Sequence, residues 1–192
     1  YAAFWTLKWS DLIRNNSNDL GEQGMWAMHN WIRESFRVNK PFDEFVGELV
    51  TAKGSIYMNG PGNYFRVNSN ATELTEATTQ LFMGIRLECA KCHHHPFEKW
   101  SQQDYYGMAA FFSRVGRKKS STPTYDRVFH NRGVAQATNP KSGENVKPKG
   151  LDAETLELDQ DDDPRVKLAD WMAQPDNDFF AKALVNRYWK HF

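Results

Sequence analysis

Cys89-Ala90-Lys91-Cys92-His93 is the segment whose residue types and spacing define a chemistry. Cys-x-x-Cys-His is the pattern by which a c-type haem is attached: two thiols become thioethers and the following histidine ligates the iron. On a helix, positions 89, 92 and 93 fall at i, i+3 and i+4, so both sulfurs and the imidazole project from one face. These are the only 2 cysteines of the chain. Three other readings stand beside this one. A redox dithiol would sit at a strand-to-helix junction, and no such pattern precedes Cys89. Zinc could be held by Cys89, Cys92 and one or two of His93, His94 and His95, although no second Cys-x-x-Cys or His-x-x-x-His completes the tetrahedron. Two buried structural cysteines are the third.

The elements around the motif read as helices. Asn70, with Glu73 three residues on, forms a capping pattern. Leu74, Ala77, Leu81, Ile85, Cys89 and Cys92 then recur at steps of three or four, which predicts that the cysteines continue a buried stripe until Pro96 ends the helix. Ser101 and Asp104 repeat the cap ahead of Tyr105, Met108, Ala109, Phe112 and Val115. Helices over 72–95 and 101–115 would thus make a hairpin with the motif at its bend.

Upstream, Ala2, Trp5, Trp9, Leu12 and Ile13 mark an amphipathic helix that the cluster Asn15-Asn16-Ser17-Asn18 stops. A second helix over 22–38 carries Met25, Met28, Ile32 and Phe36 on one face, with His29 at its edge. Pro41 reads as the first residue of a third helix, with Phe42, Phe45, Val46, Leu49 and Val50 inward. The glycine- and asparagine-rich stretch 54–70 reads as a loop. Downstream, Arg117-Lys118-Lys119 with Ser120-Ser121-Thr122-Pro123 reads as a solvated basic link. Val128-Phe129-His130 and Val134 to Thr138 are strand candidates, with a turn at 139–143 before Val146, which predicts a small β-hairpin. Asp159, Asp161 and Asp163 do not make a calcium loop, because Pro164 stands where glycine is required and Asp170 where glutamate is. Asp163-Pro164 instead caps and opens a helix to Met172, and a last aromatic-rich helix starts near Asp178.

The fold class is therefore mainly α, arranged as a helical domain over 1–115, a linker with a β-hairpin over 116–162, and the truncated start of a further helical domain over 163–192. Seven tryptophans, 13 phenylalanines and 7 tyrosines supply a large apolar area for its core. Lys plus Arg equals Asp plus Glu at 24 each, which gives no global field for nucleic acid or an anionic membrane. No run of 18 apolar residues spans a bilayer. The chain opens on Tyr1 without a signal peptide and ends within a helical pattern, as expected of a piece of a longer polypeptide.

Leu81-Phe82-Met83-Gly84-Ile85-Arg86-Leu87-Glu88-Cys89-Ala90-Lys91-Cys92-His93-His94-His95-Pro96-Phe97-Glu98-Lys99-Trp100 and Asp104-Tyr105-Tyr106-Gly107-Met108-Ala109-Ala110-Phe111-Phe112 carry a family likeness. Over about residues 1–115 the chain resembles the planctomycete cytochrome-like domain family of unknown function, of the second type, found in large exported bacterial proteins. Asp163-Pro164-Arg165, Asp170-Trp171, Asn177, Phe180-Ala181 and Val185 to His191 are similar to the opening of its C-terminal partner domain. The resemblance implies an exported multidomain protein and a haem-attachment motif on Cys89, Cys92 and His93. The family pattern also carries His95, and it supplies no sixth iron ligand and no established reaction.

Distal-ligand candidates are Met25, Met28, His29, Met83, Met108 and His130. Met83 shares the motif's helix, and His94 and His95 are too close to His93 to reach the opposite face of the iron. His29 is carried as the distal ligand because a histidine at the edge of an apolar stripe needs a partner. The expected function is a periplasmic or extracellular c-type cytochrome module that passes electrons to a redox partner or a neighbouring haem domain. One alternative is a zinc-stabilised structural domain using Cys89, Cys92 and His95; a weaker one is a peroxidase-type haem enzyme with an open distal position.

Overall fold

A computed structural model describes residues 1–119 and 126–190. Ser120, Ser121, Thr122 and Pro123 of the expected link, and His191, lie outside the described residues. The chain is mainly α with small antiparallel sheets. It forms two compact units: Tyr1–Ser69 with Val115–His130, and Asn70–Arg114 with Asn131–Phe192. No helix among the described residues is long and apolar enough to cross a membrane.

In the first unit, α1 (Ala2–Leu12) ends where Arg14 takes a left-handed φ of 61°. Asn16, within the cluster read as a stop, also starts α2 (Ser17–Arg37) by accepting a 2.9 Å bond from the Asp19 N–H. Gly21 kinks α2 at φ 67°, so the regular part begins where the apolar period begins. Pro41 precedes α3 (Phe42–Val50) as its extended cap residue rather than its first helical one. Trp9, Ile13, Leu20, Met28, Ile32, Phe45, Val46 and Leu49 fill this unit's core.

The stretch 54–70 is packed structure rather than a loop. It contains strand β1 (Gly54–Ser55), a 3-10 turn (Gly60–Asn63) and α4 (Tyr64–Val67), and Asn63, Tyr64 and Phe65 are fully buried. Apolar periodicity is missing because close backbone approach does the packing: a Cβ at Gly60 would overlap the Ala27 carbonyl. The Asn63 amide satisfies the turn internally, donating to the Ile56 and Gly60 carbonyls at 2.7 and 3.0 Å.

Strand β2 (Val115–Lys118) and β3 (Arg127–His130) complete a three-stranded antiparallel sheet of order β1-β3-β2. Val115 therefore opens a strand instead of closing a helix, and Arg117 and Lys118 are strand residues, not a solvated link. Arg117 donates to the carbonyls of Phe65 and Asn68, each at 2.9 Å, which explains a basic residue here without a ligand. The 128–130 segment does form a strand, but its partners are β1 and β2 rather than 134–138.

The second unit contains α5 (Ala71–Phe82), a 3-10 helix (Leu87–Lys91) and α6 (Gln102–Ala110). The hairpin β4 (Ala137–Thr138) and β5 (Asn145–Val146) follows, then α7 (Pro164–Met172) and α8 (Asp178–Trp189). The hairpin turn lies where the sequence places it, with Gly143 at φ 76° and its N–H on the Asn139 carbonyl at 2.8 Å. Asn70, Ser101, Asp163 and Asn177 each cap the helix they precede. Leu74, Phe82, Leu87, Tyr105, Met108, Phe111, Phe112 and Leu168 form this unit's core.

Candidate functional site

The expected uninterrupted helix over 72–95 is broken before it reaches the motif. α5 ends at Phe82, and Gly84 takes a left-handed φ of 70°, a conformation glycine adopts without steric cost. The Ile85 N–H folds back onto the Thr79 carbonyl at 3.1 Å, and a separate 3-10 helix then carries Leu87–Lys91. Its buried residues are Leu87 and Ala90, so Cys89 and Cys92 are exposed rather than continuing the core stripe. Three residues per turn makes i and i+3 eclipse, so this geometry still sets positions 89 and 92 on one side.

The histidines that follow separate by their hydrogen bonds. His93 Nδ1 lies 2.6 Å from the His94 carbonyl oxygen, which can only accept. Nδ1 therefore carries the proton and Nε2 keeps its lone pair, the tautomer that a metal-ligating histidine uses when a backbone carbonyl orients it. His95 is the reverse case. Its Nδ1 accepts from the N–H groups of Phe97 and Glu98 at 3.3 and 3.0 Å, which assigns the proton of the neutral ring to Nε2. His95 is thus a turn-forming side chain, and ligation through Nε2 would require that proton to leave.

The turn is closed by the His95 N–H on the Trp100 carbonyl at 2.9 Å. Trp100 is buried edge-on against Phe179 with centroids 5.8 Å apart, and Lys99 reaches Asp152 at 2.6 Å. Held between these anchors, Phe97 is 92% exposed. The ring is displayed among exposed polar and charged neighbours, His93, His94, Glu98 and Lys99.

Behind the motif stands α6. Ser101 and Asp104 form the capping box that starts it. Burial works against ionisation of Asp104, but the Ser101 N–H and hydroxyl, with Lys149 at 3.3 Å, outweigh it and hold the carboxyl below its ordinary value. A depressed carboxylate contributes stability that is present above its unfolded value and is lost as pH falls through its folded value. Asp104→Asn is therefore expected to lose stability at neutral pH and to show a shallower fall in stability below about pH 4 than the parent. Urea midpoints at a series of pH values measure this; parallel curves for the two proteins would contradict it.

From the first two turns of α6, Gln102 Nε2 and the Tyr106 hydroxyl both donate to the Lys91 carbonyl, at 3.0 and 3.3 Å. The Tyr105 hydroxyl donates to Glu76 at 2.9 Å; burial foremost, then that carboxylate, push the phenol up. Lys91 Nζ lies 3.8 Å from the same Glu76, so α5, the 3-10 helix and α6 are tied at one corner. Glu76, Gln102 and Tyr106 were not legible as site residues, because their roles depend on a backbone carbonyl that only the fold brings to them. The helix break had a readable signal in Gly84, placed just past the last periodic residue of α5.

The remaining candidates divide between the units. His29, Met25, Met28 and His130 belong to the first unit. There His29 is half-buried edge-on against Trp26, with centroids 5.3 Å apart, Met28 is fully buried, and His130 Nε2 is buried without a hydrogen-bond partner among the described residues. Met83 and Met108 are buried in the second unit. Among the described residues no three His, Cys, Asp or Glu side chains converge to hold a metal ion. Two exposed free thiols one 3-10 turn apart and an imidazole with an oriented Nδ1–H are the donor set that a c-type haem takes, so the residues present fit that group.

A mainly helical chain with small antiparallel sheets, carrying a paired-thiol and histidine segment on a short turn, is the class of protein defined here. The family model described as PSCyt2, a protein of unknown function (DUF1549), matches residues 1–117, and the chain belongs to this planctomycete cytochrome-like domain family. No curated protein and no solved structure matches the chain.

Proposed function

We propose that the chain is an exported c-type cytochrome module of the second type of this family, followed from residue 163 by the opening of a C-terminal partner domain. The observation that supports it best is the His93 Nδ1–H on the His94 carbonyl at 2.6 Å, which leaves a ligand-competent Nε2 directly after two accessible thiols. Cys89 and Cys92 would hold haem as thioethers and His93 Nε2 would be its proximal ligand, and the bound group would supply one-electron iron chemistry. The residues' own work is to present both sulfurs from one side and to fix the imidazole tautomer; the exposed Phe97 ring would be available to a redox partner or neighbouring haem domain. Covalent attachment is completed after export, which motivates a periplasmic or extracellular location.

Co-expression with cytochrome c maturation machinery, followed by acid–acetone extraction and intact-mass measurement, tests the reading. The parent is expected to keep one haem per chain, and Cys89→Ala/Cys92→Ala to keep none. Free thiols in colourless parent protein, with stoichiometric zinc, would replace haem attachment with the zinc-stabilised domain. Extractable haem in a high-spin parent would favour the peroxidase-type reading.

A further inference from the structure

The two donors that α6 directs at the motif converge on a single acceptor. The Lys91 carbonyl ends the 3-10 helix and would otherwise lack a partner, as terminal helix carbonyls do. Gln102 and Tyr106, one α-helical turn apart, occupy it at 3.0 and 3.3 Å. This oxygen belongs to the peptide joining Lys91 to Cys92, so both bonds act on the plane from which Cys92 and then His93 depart. Tyr106 is only 7% exposed and its ring cannot swing away without opening the core. Burial foremost, then the charge of an ionised Cys92, push its phenol up.

We propose that Gln102 and Tyr106 are positioning residues for Cys92 and His93: they fix the exit of the 3-10 turn from α6, so that the second thiol and the imidazole are presented in one orientation before any cofactor arrives. Cys89, inside the turn and held by its helical bonds, does not depend on them. The consequence for haem attachment rests on the function proposed above; the positioning of Cys92 does not.

Gln102→Met/Tyr106→Phe deletes both donors while nearly preserving volume. In the folded chain with free thiols, alkylation by iodoacetamide at fixed pH, read by peptide mass spectrometry, is expected to rise roughly fivefold at Cys92 from loss of these bonds, with Cys89 as internal control at the parent rate. Restoring one donor with Gln102→Lys/Tyr106→Phe is expected to return the Cys92 rate most of the way to the parent's. An unchanged Cys92 rate, an equal rise at both cysteines, or no rescue by lysine would overturn the proposal. Because the thiols are read before haem is present, a failure of haem attachment leaves this result interpretable. Haem attachment likewise stands if the clamp fails.

Discussion

With haem attached as proposed, His93→Ala is expected to keep the thioethers on Cys89 and Cys92 while losing the proximal ligand, whereas His95→Ala keeps it. The two residues differ by the direction of one hydrogen bond. His93 donates from Nδ1 to a carbonyl and so holds a lone pair on Nε2, while His95 accepts at Nδ1 and holds a proton on Nε2. A ligand must offer the lone pair, so only His93 is ready to bind iron as it stands. In His93→Ala the ferric spectrum should move to high spin, and added imidazole should restore the parent's bands because the vacated position accepts an external nitrogen base. In His95→Ala the Phe97 and Glu98 N–H groups lose their acceptor on an exposed turn, which costs about 1 kcal/mol of stability and leaves the bands in place. Optical and electron paramagnetic resonance spectra of both variants measure this. A changed ligand field in His95→Ala with an unchanged one in His93→Ala would reverse the assignment.

The features read correctly from sequence are those whose cause is local. Asn70, Ser101 and Asp163 announce helix starts because each side chain bonds a backbone N–H two or three residues ahead. The 139–143 turn is likewise settled by its own residues. Where partners are distant, local sequence misleads. Arg117 and Lys118 look like a polar link until β3 supplies the strand they pair with, and 54–70 looks like a loop until Gly60 meets the backbone of α2. In the candidate site, spacing alone singles out Cys89, Cys92 and His93, while the exposure of the two cysteines is not legible in it. In sequence the apolar stripe of α5 continues across Gly84, but a left-handed residue there redirects the chain and lets Leu87 and Ala90 take the buried positions. The motif thus survives as a pattern of types while its mount changes from an α-helix to a 3-10 turn.

Asp163→Ala is expected to be strongly destabilising in the unit that carries the motif, costing about 3–5 kcal/mol. Asp163 has two tasks at the start of α7. Its Oδ1 accepts from the Arg165 N–H at 3.2 Å as the helix cap, and its two oxygens take the Arg165 guanidinium in a fork, Nε at 2.9 Å and Nη2 at 2.7 Å. The Arg165 side chain is 1% exposed and that of Asp163 14%, so the pair is desolvated and water cannot replace a missing carboxylate. Loss of a cap alone costs about 0.5–2 kcal/mol; the remainder is loss of the forked bond to a buried guanidinium. Asp163→Asn separates the two contributions, because its amide oxygen can still cap while the negative charge is gone, and it should fall between parent and alanine. Asp163→Asn/Arg165→Met removes both charges at similar volume and should recover part of the loss, since a buried ion pair replaced by apolar contact is often close to neutral. Urea unfolding monitored by tryptophan fluorescence, with Trp171 on α7 itself, reads all three variants. A loss below about 1 kcal/mol in Asp163→Ala would mean that the other contacts of Arg165 satisfy its charge and that Asp163 serves only as a cap.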